Sequence, residues 1–165
     1  MSEITIREAT PDDAEAMAEI LNPIIEAGGT TAYQTPRTGA EMKAMIFTDD
    51  LVCAFAALDD AGRIAGFQWV ERDWDDAQLG YIASFARIAP KLPGVGRALF
   101  HATVDACRVH GLRAIIAQIR ADNPGGLAFY SKMGFRDHSV RPAVPLTDGT
   151  PVDRIVKRLE LGAGD

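Results

Sequence analysis

The sequence predicts an α/β (α+β) fold whose elements follow the order β-α-α-β-β-β-α-β-α-β-β. Three features support this prediction: an apolar stripe at helical spacing near the N-terminus, a run of apolar strands separated by turn residues, and a long amphipathic helix over 94–110. With 165 residues, the chain fits one domain that buries its own core. We expect that domain at 1–161 and a flexible tail at 162–165.

The first half of the chain is predicted to hold a strand, two helices and a three-stranded meander. Thr10 is placed to cap the first helix, with Pro11 at its first position, and Gly28 is placed to end it. The apolar runs 51–58 and 64–70 are typical of a hairpin around a turn, and a third strand follows. The other predicted bounds are a strand at 5–7, a helix at 39–47, a polar loop at 71–77 and the third meander strand at 79–88.

The second half is predicted to begin with the clearest helix of the chain, at 94–110. Gly111 is placed to cap the C-terminal end of this helix. Its apolar face is predicted to consist of Val95, Ala98, Leu99, Ala102, Ala106 and Val109. The remaining elements are a strand at 113–119, a short helix at 125–132 ended by Gly134, and a strand pair at 135–144 and 152–159.

Composition and charge argue against several classes of function. The net charge is -6 and the pI is about 5.0, whereas a general binder of nucleic acid or of anionic membranes needs a basic face. The acidic balance mildly favours a cationic ligand. Neither a signal peptide nor a membrane span is expected, so we predict a cytoplasmic protein. Cys53 and Cys107 lie in apolar stretches and are predicted to be core thiols, and no metal site is expected.

A glycine-containing loop lies between the third meander strand and the long helix. It reads Lys91-Leu92-Pro93-Gly94-Val95-Gly96-Arg97-Ala98. Free N–H groups in the first turn of a helix, together with two cations, form an anion site that suits a diphosphate. A turn without any ligand is an alternative. A Rossmann site is disfavoured by Leu99 at the third glycine position, and a P-loop by the missing Lys-Ser/Thr pair.

This loop resembles the acetyl-CoA diphosphate loop of the GNAT superfamily, Gln/Arg-x-x-Gly-x-Gly/Ala, with Lys91 at the position of Gln or Arg. The stretch 123–135 resembles the other GNAT signature through Asn123, Tyr130 and Gly134-Phe135. The segments 22–26 and 30–33 are similar, more specifically, to the phosphinothricin and amino-acid acetyltransferase branch. The resemblance implies the GNAT fold, which is a single mixed central sheet of about seven strands with helices on both faces.

The resemblance also implies an N-acetyltransferase that takes acetyl-CoA as its acyl donor and uses no metal. The acceptor would be the primary amine of a small molecule, such as an amino acid or analogue, a polyamine or an antibiotic-like amine, which attacks directly in a ternary complex. A homodimer is compatible with the family. The implied acetyl-CoA-binding residues are Ser84, Phe85, Ala86, Lys91, Leu92, Pro93, Gly94, Val95, Gly96, Arg97, Ala98, Asn123 and Tyr130. Two alternatives stay open: a protein N-terminal or lysine acetyltransferase, and an acyl-CoA-binding module without turnover.

Chemical roles are implied by the same resemblance. Tyr130 is expected to act as the general acid toward the leaving thiolate, and the backbone at 84–86 to polarise the thioester. Asn123 is expected to bind the pantetheine arm, with helix capping as the alternative. The proton acceptor and the lining of the acceptor pocket are left open among Glu26, Tyr33, Trp69, Glu71, Asp73, Trp74, Asp75, Asp76 and Tyr81.

Overall fold

The computed structural model describes residues 3–162, which form one seven-stranded sheet and four α-helices. The strands are β1 (Thr5–Glu8), β2 (Leu51–Leu58), β3 (Ile64–Arg72), β4 (Leu79–Ala86), β5 (Ala114–Arg120), β6 (Arg136–Pro145) and β7 (Pro151–Glu160). The helices are α1 (Ala14–Ala27), α2 (Gly39–Ile46), α3 (Val95–Val109) and α4 (Pro124–Lys132). The predicted order of elements is confirmed. None of the helices within 3–162 is long and apolar enough to cross a membrane.

The sheet is mixed, with the strand order β1-β2-β3-β4-β5-β7-β6. Neighbouring strands are antiparallel except β4 and β5, which are parallel. The parallel pairing is short. It covers the partners from Leu79↔Ala114 to Tyr81↔Ile116 and then stops, although β4 runs on to Ala86 and β5 to Arg120. The two strands therefore part toward their C-terminal ends and leave a gap in the middle of the sheet.

The helices cover both faces of the sheet, as predicted. Side chains alternate between the faces along β3, so Phe67 and Trp69 pack against α1 and α2, whereas Val70 packs in the layer of α3. Met17 and Leu21 of α1 are almost fully buried in the first of these layers. The sheet is thus held between two apolar helical layers, and the confirmed fold class is a mixed α/β sandwich.

The buried face of α3 differs from the prediction. Its buried side chains are Val95, Leu99, Phe100, Thr103 and Cys107, and Val109, which was expected among them, is 84% exposed. The row 95, 99, 103 and 107 has the spacing of one helix face, and Val109 lies about 200° around the helix from Cys107. The hydroxyl of Thr103 donates to the Leu99 carbonyl 3.0 Å away, so this polar residue is satisfied within the buried face.

The end of β3 lies beyond its predicted position. β3 continues past its predicted end because Glu71 pairs with Tyr81 and Arg72 pairs with Gly80 of β4. Glu71 therefore belongs to a strand and not to the polar loop. Of the predicted tail, Gly162 is described and 163–165 lie outside the described residues.

Candidate active site

The gap between β4 and β5 opens into a cavity of about 970 Å³, a volume within the usual range of small-molecule sites, about 300–1,000 Å³. The start of α3 and helix α4 line it from one face of the sheet, and the loop 30–33 after α1 lines it from the other. The predicted cofactor residues that line it are Ser84, Phe85, Ala86, Lys91, Leu92, Pro93, Gly94, Val95, Gly96, Arg97, Asn123 and Tyr130. Ala98 is the exception, because its N–H donates to the Gly94 carbonyl and begins the helical ladder.

The strand β4 presents free backbone groups to this gap. The Arg87 N–H donates to the Ala65 carbonyl of the β3 side, and hydrogen-bonded pairs alternate along an antiparallel ladder. The backbone of Phe85 is therefore bonded to β3, whereas the N–H and C=O groups of Ser84 and Ala86 point toward β5, which does not pair with them. An extended ligand can add hydrogen bonds to such a strand edge.

The start of α3 presents a second set of free donors. Gly94 precedes the helix with φ at 87°, in the left-handed region that favours glycine. The bond from Ala98 to Gly94 is the first of the helix, so the N–H groups of Val95, Gly96 and Arg97 have no partner inside it. The helix dipole adds partial positive charge at this end. This turn can therefore hold an anion such as a diphosphate.

Gly96 also allows α3 and α4 to approach each other. A Cβ atom at this position would lie 2.7 Å from Cε1 of Phe129, which is closer than two carbon atoms approach without repulsion. The two helices can meet here because residue 96 has no side chain. The two sequence stretches that predict the cofactor site therefore touch each other through Gly96 and Phe129.

Tyr130 lies on α4, with its ring buried and part of its surface on the cavity. Edge-on contacts with Phe129 and Phe135, each with ring centroids 5.1 Å apart, fix the ring. Burial raises the pKa of the phenol, so the hydroxyl stays protonated at neutral pH. A protonated phenol at the cavity can donate a hydrogen bond or a proton to a ligand but is a poor base.

Asn123 acts as the cap of α4, which is the alternative that the sequence left open. Its Oδ1 accepts a hydrogen bond from the Gly126 N–H at 3.0 Å, and its Nδ2 donates to the Thr30 carbonyl at 3.1 Å. The side chain therefore ties the loop after α1 to the start of α4. One Nδ2 hydrogen and one Oδ1 lone pair are left for a ligand.

Of the candidates for the proton acceptor, Tyr33 lines the cavity. Burial raises the pKa of its phenol, which makes it a poor base at neutral pH. Glu71 lies on β3 outside the lining, and partial burial together with the charge of Asp50 raises the pKa of its carboxyl. The other candidates that do not line the cavity are Glu26, Trp69, Asp73, Trp74, Asp75, Asp76 and Tyr81.

The loop after β3 explains why its carboxylates are not at the cavity. Oδ2 of Asp73 accepts the backbone N–H groups of Asp75 and Asp76, at 3.1 and 2.8 Å, so this carboxylate stabilises the turn. Trp69 is buried and stacks on Phe67 with ring centroids 5.9 Å apart, whereas Trp74 is 90% exposed. These side chains contribute to the loop, the core and the surface and not to the cavity wall.

Three arginines that the sequence reasoning missed also line the cavity: Arg120, Arg141 and Arg154. Arg120 and Arg154 are only 8% and 7% exposed. The three arginines lie on three different strands and become neighbours because β7 pairs with both β5 and β6. The available signal was Arg120 itself, a charged residue at the end of the apolar strand 114–119.

The two cysteines lie side by side in the core layer under α3 and do not line the cavity. A hydrogen bond to Cys53 and burial raise the pKa of the Cys107 thiol. A thiol that stays neutral is a poor nucleophile, and neither Cys53 nor Cys107 lines the cavity, so a covalent cysteine intermediate is not supported. Within 3–162, no group of three or more His, Cys, Asp or Glu side chains could hold a metal ion.

Comparison with known sequences relates the chain to acetyltransferases. Residues 14–135 match the family described as "Acetyltransferase (GNAT) family". Mycothiol acetyltransferase from Corynebacterium glutamicum (strain R) is 33% identical over 110 residues, which cover 67% of this chain and 35% of that protein. The chain spans 27–35% of the length of the mycothiol acetyltransferases that it matches. The alanine N-acetyltransferase of ribosomal protein bS18 from Escherichia coli (strain K12) is 30% identical over 107 residues, covering 63% of this chain and 69% of that protein.

Solved structures share the whole fold. A phosphinothricin acetyltransferase of the GNAT superfamily from Sinorhizobium meliloti, solved in complex with acetyl-CoA, superposes with a TM-score of 0.84 at 24% identity and covers 98% of this chain and 90% of that chain. Ribosomal-protein-alanine N-acetyltransferase from Brucella melitensis gives a TM-score of 0.84 at 18% identity, with 94% and 99% covered. At these identities the likeness shows a common fold.

Proposed function

The chain belongs to the acetyltransferase (GNAT) family, and from that premise we propose that it is an acetyl-CoA-dependent N-acetyltransferase acting on the primary amine of a small molecule. The gap between β4 and β5 is the observation that carries this proposal. It connects the free donors at the start of α3 with the protonated phenol of Tyr130. A thioester donor needs these groups together: an anion site, a strand edge for its amide-containing arm, and a hydrogen-bond donor near its sulfur.

In this proposal, the start of α3 holds the diphosphate of acetyl-CoA. Three backbone N–H groups point out of the first turn, and Lys91 and Arg97 add full positive charge beside them. Lys91 acts as a point charge where the family pattern has Gln or Arg, so it attracts the phosphates without the fork geometry of a guanidinium. The free backbone groups of Ser84 and Ala86 would pair with the amides of the pantetheine arm.

Acyl transfer then requires a stabilised oxyanion and a stabilised leaving group. A free β4 amide, at Ser84 or Ala86, would donate to the thioester oxygen as negative charge develops there. Tyr130 would donate to the departing thiolate. Because a thiol has a pKa of about 8.5 and the pKa of Tyr130 is raised, the phenol contributes mainly as a hydrogen-bond donor.

The attacking amine must also lose a proton, and we propose that water carries it away. Tyr33 lines the cavity, but its raised pKa keeps it protonated. A water beside Tyr33 would take up the proton and pass it to bulk solvent, so no carboxylate needs to touch the substrate.

The loop after α1 lies on the side of the cavity that we propose binds the acceptor (the acceptor side). Its contacts favour a small acceptor over a protein chain. The loop after α1 is bonded to α4 by Asn123 and to β5 by Arg120, which donates to the Thr31 carbonyl at 2.9 Å. The Asp148 N–H, in the β6–β7 turn, donates to Oε1 of Gln34 at 2.8 Å. These bonds tie the loop after α1 to α4, to β5 and to the β6–β7 turn, and we propose that they leave no open groove for a peptide. Acetylation of a protein N-terminus is the second candidate, supported by the 30% identity to the bS18-alanine enzyme.

The setting of the reaction is part of the proposal. Cys53 and Cys107 are free thiols, which is compatible with a reducing compartment, and we place the enzyme in the cytoplasm. A homodimer stays a prediction from the family resemblance.

Titration calorimetry with acetyl-CoA, followed by a thiol-release assay with a panel of amines, tests the proposal. We expect saturable binding and turnover of at least one small amine. Lys91→Ala should weaken acetyl-CoA binding about fivefold. Lys43→Ala, the same change on the exposed side of α2 and outside the cavity, is the control. Binding without turnover of any amine would support an acyl-CoA-binding module instead, and a lack of saturable binding would contradict both.

A further inference from the structure

Three arginines form a row across the sheet on the acceptor side of the cavity. Arg154 of β7 is the direct cross-strand partner of Arg120 on β5 and of Arg141 on β6, and all three line the cavity. Directly opposite residues have their Cβ atoms about 4.5–5.5 Å apart, and like charges at such positions repel each other. The row is therefore unfavourable by itself and becomes favourable when a negative charge joins it.

Only part of this positive charge is neutralised by neighbouring residues. Both oxygens of Asp122 accept hydrogen bonds from Arg120, at 2.7 and 2.9 Å, while Arg141 donates to the neutral Oε1 of Gln118 at 2.9 Å. The side chain of Arg154 makes no hydrogen bond or ion pair with any other residue in 3–162, although it is 7% exposed. Burial and the two neighbouring arginines lower the pKa of Arg154.

The other carboxylates near the row are engaged elsewhere. Asp148 accepts the Thr150 N–H at 2.9 Å within the β6–β7 turn, and Asp153 accepts the Ala143 N–H at 2.8 Å. A buried guanidinium normally finds acceptors for its five N–H groups. The guanidinium of Arg154 therefore lies at the wall of the cavity and has no acceptor among the residues that the structure describes.

We propose that this arginine row binds a carboxylate carried by the acceptor, so that the acceptor is an amino acid or another small amine with a carboxylate close to its nitrogen. The inference rests on the proposed acetyltransferase function and names the acceptor class of that same cavity. A guanidinium presents two parallel N–H groups that match the two oxygens of a carboxylate. The bound carboxylate would also relieve the repulsion within the row.

The position of the row sets the distance between the carboxylate and the amine. β4 and β5 pair up to Tyr81↔Ile116, and the same register, continued along both strands, brings Arg120 level with Phe85. Ser84 and Ala86, whose free amides are proposed to hold the thioester, are the two neighbours of Phe85 on β4. The row is therefore at the same height along the strands as the reacting group, across the gap, and we expect a short spacer between carboxylate and amine, as in an α- or β-amino acid.

The phosphates of acetyl-CoA are the competing occupants of the row, because they are anions too. Ile119 packs in the core layer of α3 and α4, and successive side chains of a strand point to opposite faces. Arg120 therefore points to the other face of the sheet, away from the N–H groups at the start of α3. The two positive regions are on opposite faces, so each can serve a different ligand.

Matched pairs of substrates test the proposal. Each common amino acid is assayed against its own carboxamide at saturating acetyl-CoA. We expect at least one amino acid to exceed its carboxamide at least tenfold in kcat/KM. The carboxamide has the lower amine pKa and would react faster if the carboxylate contributed nothing, because more of its amine is neutral. An enzyme that uses carboxamides or simple alkylamines as well as it uses amino acids contradicts the proposal.

Substitutions at Arg154 show whether the row is the group that recognises the carboxylate. Arg154→Met removes the charge and keeps most of the volume. We expect it to raise the KM for the amino acid at least tenfold, with less than a twofold change in kcat and in acetyl-CoA affinity, and Arg154→Lys to restore part of the loss. Arg136→Met, on an exposed part of β6 outside the cavity, is the control. A parallel loss of acetyl-CoA affinity in Arg154→Met would assign the row to a cofactor phosphate and overturn the proposal.

Thermal unfolding separates a failure of this inference from a failure of the proposed function, because it needs neither acetyl-CoA nor turnover. The preferred amino acid should raise the Tm of the wild type and leave that of Arg154→Met unchanged, and its carboxamide should shift neither. Without ligand, Arg154→Met should keep or raise the Tm, because it removes a buried charge beside two like charges. If no amino acid raises the wild-type Tm, the inference fails, even where acetyl-CoA binding and turnover of another amine support an acetyltransferase.

Discussion

The two ends of the cavity, which we propose bind the acyl donor (the donor end) and the amine (the acceptor end), are built in different ways. The donor end comes from the contiguous stretch 91–97 together with the start of α4, and its main donors are backbone N–H groups that depend on the local path of the chain. The acceptor end comes from the loop after α1 and from three strands that are distant in sequence. A contiguous site leaves a motif in the sequence, whereas an assembled site becomes visible only when the strands pair.

The same comparison shows how little the overall charge says about the cavity. The net charge of -6 mildly favoured a cationic ligand. Both ends of the cavity are nevertheless positive, with Lys91 and Arg97 at the donor end and Arg120, Arg141 and Arg154 at the acceptor end. Surface carboxylates set the net charge, while a few residues at the wall set the local field of a pocket.

The largest expected effect comes from a change at the donor end. Gly96→Glu should weaken acetyl-CoA binding by about a hundredfold or more, because it adds a negative charge to the turn that is proposed to hold the diphosphate. Gly96→Ala is the matched control, since it creates the same clash with Phe129 and carries no charge. It should cost about 1–3 kcal/mol of unfolding free energy and retain most of the affinity. Calorimetry that finds equal losses in both variants would mean that the α3–α4 contact governs binding.

The contrast between the two ends also shows how much the sequence could predict. The order of elements was predictable because local signals mark it: Gly28, Gly111 and Gly134 all adopt positive φ at the helix ends where the sequence places them. The turn at the donor end was predictable for the same reason, because Gly94 and Gly96 shape the turn in which they lie. Ala98, which was also predicted, does not line the cavity, and its amide donates the first hydrogen bond of the helix.

What the sequence could not predict depends on pairing between distant segments. The gap exists because the β4–β5 pairing stops at Tyr81↔Ile116, and no local pattern records where a parallel pairing ends. Glu71 was assigned to a loop because a charged residue after an apolar run resembles a strand end, yet its pairing with Tyr81 extends β3. The neighbours of Arg154 follow from two strand registers and from no motif.

A smaller effect is expected where the two ends meet, at Tyr130. Tyr130→Phe should lower kcat about 10- to 100-fold and change the acetyl-CoA affinity less than twofold, because the ring contacts with Phe129 and Phe135 are retained. The raised pKa of Tyr130 adds a pH prediction. The phenol must be protonated to donate, so its ionisation should cause no loss of activity below about pH 10. Steady-state kinetics across pH measure both effects, and an unchanged kcat would remove Tyr130 from the mechanism.

The smallest effect is expected at the bridge between the loop after α1 and the β6–β7 turn, where Gln34 Oε1 accepts the Asp148 N–H. Gln34→Ala removes a single exposed hydrogen bond, so the free energy of unfolding should fall by no more than about 1 kcal/mol. The KM for the small acceptor should rise about two- to fivefold, and a short peptide with a free N-terminus should become a better substrate than it is for the wild type. Gln78→Ala, which removes one exposed hydrogen bond to Arg113 outside the cavity, is the control. If wild type and Gln34→Ala acetylate the peptide equally well, the bridge does not set acceptor size, and the distinction between a small-molecule and a protein acceptor must come from the arginine row alone.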